Sequence, residues 1–237
     1  MAQNSLPESE TGCKYIFVLM DQFTKWAEAK AVPRTGAEPL ISWLREVFCR
    51  LGLPREIVMD RGAEMEPAAL KEFCDNMGIR RTFTSPYHHQ ANPVERLNRT
   101  LLNMMRACAD GDEQTWDANL DRVLFAYRAA RHESTKVSPF EALHGVAPRL
   151  PVDLKFSTRL EEPAGMTELI EKMAATRQTM RTTLEKSAKT RAAKYDAAFA
   201  TKDPGYQVGQ LVYMKRSGPG SKLAPVWVGP FRLVQQI

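Results

Sequence analysis

"KYIFVLMDQFTKWAEAKAVP", residues 14–33, decides the fold. Its first half, "YIFVLM", is an unbroken apolar run closed by Asp21. Six residues fall far short of the roughly 20 needed to cross a bilayer, so the run reads as a buried strand. Its second half, "KWAEAKAVP", alternates polar and apolar and stops at Pro33, which predicts a second strand beside the first. "AEPLISWLREVFCRLG" follows, with Leu40, Ile41, Leu44, Val47 and Phe48 on one helical face and Gly52 as its stop. "REIVMD" is a further short strand, again closed by an acid, Asp60. "PAALKEFCDNMG" reads as a helix ending at Gly78, and "IRRTFT" as a strand. Two strands, then strands alternating with helices, predict an α/β fold: a mixed sheet with helices on both faces.

The next stretch, "SPYHHQANPVERLNRTLLNMMR" (residues 85–106), runs from a polar loop into a helix with Glu95 near its start. Asn92 suits the N-cap and Pro93 the first helical position, where a missing N–H costs nothing. Glu95 is then the third helical residue, and it has two readings. It can reach back to the cap in a capping box, or it can join acids from elsewhere in the chain. Val94, Leu97, Leu101, Met104 and Met105 form the core stripe of this helix. "TWDANLDRVLFAYRAAR" is a further helix, with Trp116, Leu120, Val123, Leu124 and Tyr127 inward.

If the strand ends carrying Asp21 and Asp60 are neighbours and the Glu95 helix starts at the same rim, three carboxylates meet there. Their mutual repulsion would raise one another's pKa unless a divalent cation sat among them. Hard oxygen donors suit Mg²⁺ or Mn²⁺. Two such ions can hold the attacking and leaving oxygens of a phosphodiester in line.

Residues 1–149 carry a net charge of −1, whereas residues 150–237 carry +6. A basic tail behind a near-neutral body points to an anionic partner such as DNA, with a solvated basic helix as the plain alternative. "MTELIEKMAATRQTMRTTLEKSAKTRAAKYDAAF" is one long basic helix with a thin apolar stripe: Leu169, Ile170, Met173, Met180 and Leu184. Lys189, Arg191 and Lys194 lie on it and together would give sequence-independent DNA affinity. Arg61 can reach a phosphate or pair with Glu64; Gln90 and Asn92 can contact DNA; Arg96 and Arg99 lie on the exposed side of the Glu95 helix. Cys13, Cys49, Cys74 and Cys108 form no Cys-x-x-Cys pair, which argues against a disulfide framework or zinc ribbon and for a reducing compartment. Cys49, Cys74 and Cys108 fall on predicted apolar faces. Adjacent His88 and His89 are poorly placed to converge on one ion. The polar, acidic first dozen residues are not a signal peptide. After Pro204 and Gly205, "QLVYMKR" and "PVWVGPFRLVQQI" read as short strands of a second module.

Four stretches, "VLMDQFTKWAEA", "IVMDRGAEM", "SPYHHQANPVERLNRTL" and "FAYRAARHESTKVSPFEALHG", resemble the integrase core of gypsy-type retrotransposons and gammaretroviruses. "KLAPVWVGPF" resembles the Gly-Pro-Tyr/Phe module of the same integrases. The resemblance implies an RNase H-like fold, with Asp21, Asp60 and Glu95 as catalytic residues and ligands of two Mg²⁺ or Mn²⁺ ions. It implies 3′-end processing and strand transfer on DNA, both element ends and target. It also implies a homo-oligomer, nuclear work, a possible chromatin partner and no membrane. The expected layout is a disordered tail (1–11), a catalytic core (12–150), a basic helical linker (151–204) and a truncated β module (205–237). No His-His-Cys-Cys set precedes the core here, so no zinc is expected.

The chain departs from the family pattern at two places. "YHHQANPVE" is one residue shorter than the family's loop and lacks its Gly, leaving 34 residues between Asp60 and Glu95. Met65 stands where the family has an aromatic. These departures favour an alternative: a domesticated or remnant integrase that binds nucleic acid or chromatin with little or no catalysis. A ribonuclease acting on RNA–DNA hybrids is a third reading that the fold alone would allow.

Overall fold

The computed structural model describes residues 6–59, 68–83, 93–108, 113–156, 165–199, 207–215 and 227–234. The chain divides into two compact units, Met1–Ser187 and Ala188–Ile237.

In the first unit, strands β1 (Tyr15–Met20) and β2 (Ala27–Val32) pair antiparallel, with Met20 opposite Ala27. Helix α1 (Ala37–Leu51) follows and ends at Gly52. Strand β3 (Glu56–Met59) pairs in parallel with β4 (Arg80–Phe83), and helix α2 (Ala68–Asn76) connects them. Helices α3 (Pro93–Cys108) and α4 (Trp116–Ala129) complete the layer below, with a 3-10 turn at Glu113–Thr115 between them. Short helices α5 (Pro139–His144) and α6 (Pro151–Phe156) lead to α7 (Met166–Phe199). Among the described residues, no helix is long and apolar enough to cross a membrane.

The β1–β2 hairpin has two apolar faces, as the period-2 geometry of a strand requires. Phe17 and Val32 face a core built with α1 and α2, including Trp43, Leu44, Val47, Leu70 and Phe73. Ile16, Val18, Met20, Ala27, Ala29 and Ala31 face a second core built with α3 and α4, including Leu97, Leu101, Met105, Trp116 and Leu120. Helices therefore cover both faces of the hairpin, as the sequence predicts.

The pairing is mixed, as expected: β1 and β2 run antiparallel, β3 and β4 parallel. Among the described residues, the strands hydrogen-bond as separate pairs, β1–β2 and β3–β4. Ile57 and Met59 share the first core with Phe17, so packing rather than a ladder joins the pairs. Val58, on the other face of β3, is 43% exposed, and among the described residues the α3–α4 core includes no β3 side chain.

Three expectations change. Residues 6–11, expected as a disordered tail, are tied to the start of α4. Ser9 donates to Asp117 at 2.8 Å, Thr11 also donates to Asp117, and the Trp116 indole donates to the Pro7 carbonyl at 2.8 Å. Burial alone would raise the Asp117 carboxyl pKa, but the bonds from Thr11, Ser9 and the Ala118 N–H outweigh it and hold the pKa below its ordinary value. Cys49 and Cys108 are exposed and only Cys74 is buried, because the buried stripe of α1 ends at Phe48, and the next residue points about 100° away. Ile170 is exposed, whereas Met180 of the same predicted stripe is fully buried.

Helix α5 shows why "SPFEALHG" forms a short helix. Ser138 caps it by accepting the Glu141 N–H at 3.1 Å, Pro139 starts it, and Gly145 ends it in the left-handed region at φ 80°. A Cβ at Gly145 would overlap Met173 Cγ of α7 and come within 2.9 Å of Leu169 Cδ1. Gly145→Ala is therefore expected to cost about 1–2 kcal/mol, a Tm loss of roughly 3–8 °C. Thermal unfolding followed by circular dichroism checks this.

In the second unit, the end of α7 is followed by β5 (Leu211–Lys215) and β6 (Trp227–Arg232), paired antiparallel with an irregularity between Val212 and Met214. Among the described residues these two strands form a two-stranded sheet and no barrel.

Candidate active site

Asp21 opens the turn that joins β1 to β2. Its carboxylate Oδ2 accepts the Thr24 N–H at 2.7 Å and the Thr24 hydroxyl at 2.6 Å. Its backbone N–H donates to the Trp26 carbonyl at 2.8 Å, and its carbonyl accepts the Lys25 N–H at 3.0 Å. Lys25 closes the turn at φ 64°, a left-handed conformation that side-chain-bearing residues adopt at a cost and that recurs at functional sites. Asp21 itself is exposed, whereas Thr24 beneath it is buried.

Glu95 is the third residue of α3, as the Pro93 start predicts. It is half-buried, and with Arg99, Leu102 and Arg106 it lines a shallow cleft along one side of the helix. The spacing of four, three and four residues keeps these side chains on one stripe. The opposite stripe, Leu97, Leu101 and Met105, is buried in the second core.

Two links bring the Asp21 turn and the start of α3 to one corner. Met20, immediately before Asp21, packs in the same core as Leu97, two residues after Glu95. The second link is His132, just past α4. Burial pushes its imidazole below its ordinary pKa, and the charges of Lys25 and Arg96 push it the same way against Glu133. Lys25 belongs to the Asp21 turn and Arg96 is the neighbour of Glu95. His132 Nδ1 accepts the Ser134 N–H at 3.2 Å, which leaves Nε2 as the protonated nitrogen of a neutral ring.

A buried polar network behind this corner has no counterpart in the sequence reading. Glu28 is 7% exposed. It accepts the Trp26 indole N–H at 2.9 Å and pairs with Arg128 at 3.1 Å and Arg50 at 3.3 Å. Arg128 also donates to the Ala27 carbonyl at 2.8 Å and lies 4.3 Å over the Trp26 ring. Phe140 and His144 of α5 pack on the same indole. Trp26 is thus a packing residue. The pairs Arg128–Glu28 and Trp26–Phe140 join residues about a hundred positions apart, which no local pattern reports.

Asp60, Arg61, Gln90 and Asn92 lie outside the described residues. Among the described residues, no three His, Cys, Asp or Glu side chains cluster to hold a metal ion. Arg96 and Arg99 are exposed on α3, as expected. Lys189, Arg191 and Lys194 are exposed on α7 within the second unit.

This hairpin with helices on both faces is the fold of retroviral integrase cores. A chain of the simian T-cell lymphotropic virus intasome, solved in complex with PP2A regulatory subunit B56 gamma, superposes with TM-score 0.54 at 21% identity, covering 70% of this chain and 57% of that one. The HTLV-2 integrase catalytic core domain, solved with magnesium in a trimeric form, gives 0.50 at 16% identity over 60% of this chain and 93% of that one. Residues 6–89 match the integrase core domain family, a span that includes Asp21 and Asp60 and stops before Glu95. The Tf2-3 and Tf2-4 transposon polyproteins of Schizosaccharomyces pombe are each 28% identical to 98% of this chain. The chain spans about 18% of the length of those relatives. The resemblance to retrotransposon and retroviral integrases, read from the motifs, holds.

Proposed function

We propose that the chain is the DNA-joining part of an integrase, a polynucleotidyl transferase that processes 3′ ends and transfers them to target DNA in the nucleus. The observation that carries this reading is the shared corner of the Asp21 turn and the start of α3, flanked by Lys25 and Arg96. Asp21, Asp60 and Glu95 would hold two Mg²⁺ or Mn²⁺ ions, and the donor set fits: all three are hard carboxylate oxygens, and Asp21 and Glu95 are accessible. When bound, the ions supply charge neutralisation at the phosphodiester and activation of the attacking hydroxyl. The chain's own residues position and orient. Arg61, Gln90, Asn92, Arg96 and Arg99 grip the DNA ends, and Arg99 extends the grip along the cleft that starts at Glu95. Assembly as a homo-oligomer and contact with a chromatin partner belong to the same reading.

Joining of a branched DNA oligonucleotide that mimics the strand-transfer product, with Mn²⁺ or Mg²⁺, tests the enzyme. No joining from folded, DNA-binding protein supports the second reading, a retained nucleic-acid-binding module. The shortened loop "YHHQANPVE" is the observation that favours that reading.

Both readings share the basic α7 surface. Replacing Lys189, Arg191 and Lys194 together with Ala should weaken binding to unrelated duplexes equally. The log–log salt slope should fall in magnitude by about 2 to 3, since each phosphate contact contributes about 0.9. Fluorescence anisotropy between low and physiological salt measures this. An unchanged slope would make the face a solvated one.

A further inference from the structure

We propose that Thr24 is a positioning residue that locks the Asp21 carboxylate in one orientation, turning Oδ1 rather than Oδ2 toward the metal. The inference rests on the integrase reading and adds a residue to its site. Both hydrogen bonds of the turn fall on the same oxygen: Oδ2 accepts the Thr24 N–H at 2.7 Å and the Thr24 hydroxyl at 2.6 Å. Two short bonds use the two lone pairs of Oδ2, and neither Thr24 bond falls on Oδ1. The hydroxyl is itself held in direction. Its oxygen accepts the Trp26 N–H at 3.2 Å, so its proton is committed to Asp21.

Trp26 is in turn anchored. Its carbonyl takes the Asp21 N–H at 2.8 Å, and its indole is fixed by Glu28 and by Arg128 stacking. Thr24 is only 7% exposed, so water does not compete well for its hydroxyl. A carboxylate spins readily about its last torsion, which is broad and two-fold. Without the hydroxyl, Asp21 keeps only the backbone N–H bond and samples more orientations. Groups that orient metal ligands in this way typically carry 10- to 100-fold in metal affinity.

Mn²⁺ binding by the full chain, followed by electron paramagnetic resonance, tests this without relying on turnover. Wild type should bind Mn²⁺ in a manner that Asp21→Asn abolishes. Thr24→Val should weaken that binding about tenfold or more, and Thr24→Ser, which keeps the hydroxyl, should restore it to within about threefold. A merely structural role would show as lost Tm in Thr24→Val with unchanged Mn²⁺ affinity. Where Thr24→Val does not fold, Thr24→Ala removes the same hydroxyl and is measured in its place. Asp21-dependent binding that the hydroxyl-free variant leaves intact overturns the positioning role alone. Mn²⁺ binding that Asp21→Asn does not reduce overturns the integrase reading, and the positioning role falls with it.

Discussion

Glu95→Gln and Asp60→Asn should each lower metal-dependent joining of branched DNA by at least about 10²–10³-fold, or about 3–4 kcal/mol of transition-state stabilisation. Each change replaces one carboxylate oxygen by an amide nitrogen, which removes a hard anionic donor while keeping shape. DNA affinity should change by less than about threefold, because phosphate contacts by Lys and Arg supply most of that affinity. A small gain in affinity is also consistent, since an acid facing a polyanion opposes binding. Single-turnover rates with Mn²⁺, set beside anisotropy titrations of the same variants, separate the two effects. Joining that survives either substitution would place the chemistry elsewhere. Equal loss of joining and of binding would make Glu95 a structural cap, the other reading of its position in the helix.

The second large effect concerns stability. Arg128→Met should lower Tm by roughly 6–12 °C, corresponding to about 3 kcal/mol. Arg128 is 20% exposed, and it meets Glu28, whose side chain is 10% exposed. Removing one partner of a buried pair leaves the other desolvated without compensation. Arg50 also touches Glu28, but its side chain is 60% exposed and its pair with Glu28 is solvent-screened. Arg50→Ala should therefore cost under about 1 kcal/mol. Burial pushes the Arg128 pKa down while Glu28 pulls it back up, so the guanidinium stays charged at neutral pH. Adding Glu28→Gln to Arg128→Met should recover part of the loss, because the stranded charge is then gone. Thermal unfolding of the three variants beside the wild type measures these terms. If Arg128→Met costs no more than Arg50→Ala, the network does not hold the hairpin.

What could be read from the sequence follows from what local periodicity carries. Helix α4 buries Trp116, Leu120, Val123, Leu124 and Tyr127, the five residues its 3.6-residue pattern predicts. Helix α7 runs from Met166 to Phe199, the full predicted stretch, because nothing inside it breaks a helix. The predicted α1 stripe omits Trp43, which is buried and stacks on Phe17 at 5.7 Å, although its place three residues after Leu40 and four before Val47 fits the same stripe. Periodicity predicts the mixed pairing, antiparallel in β1–β2 and parallel in β3–β4, but says nothing about which strand edges meet, and among the described residues the two ladders are separate. It is equally silent on Glu28, which looks like a solvent-facing residue of an alternating strand but is buried where Arg128, Arg50 and the Trp26 indole meet it. The turn at Asp21 was half legible. The acid at the strand end is visible in the sequence, but the Thr24 bonds that orient it depend on the left-handed backbone at Lys25. The ties of residues 6–11 to Asp117 leave no local signal, because they link segments more than a hundred positions apart.

The proposed function requires Asp21, Asp60 and Glu95 to share one metal site. Crystals of the chain soaked in Mn²⁺ and measured at the manganese absorption edge test it most directly. Anomalous peaks are expected about 2.0–2.3 Å from carboxylate oxygens of Asp21, Asp60 and Glu95, typical of hard-cation coordination. Crystals that show no Mn²⁺ at Asp21, with Glu95 turned back onto the start of its own helix, would contradict it.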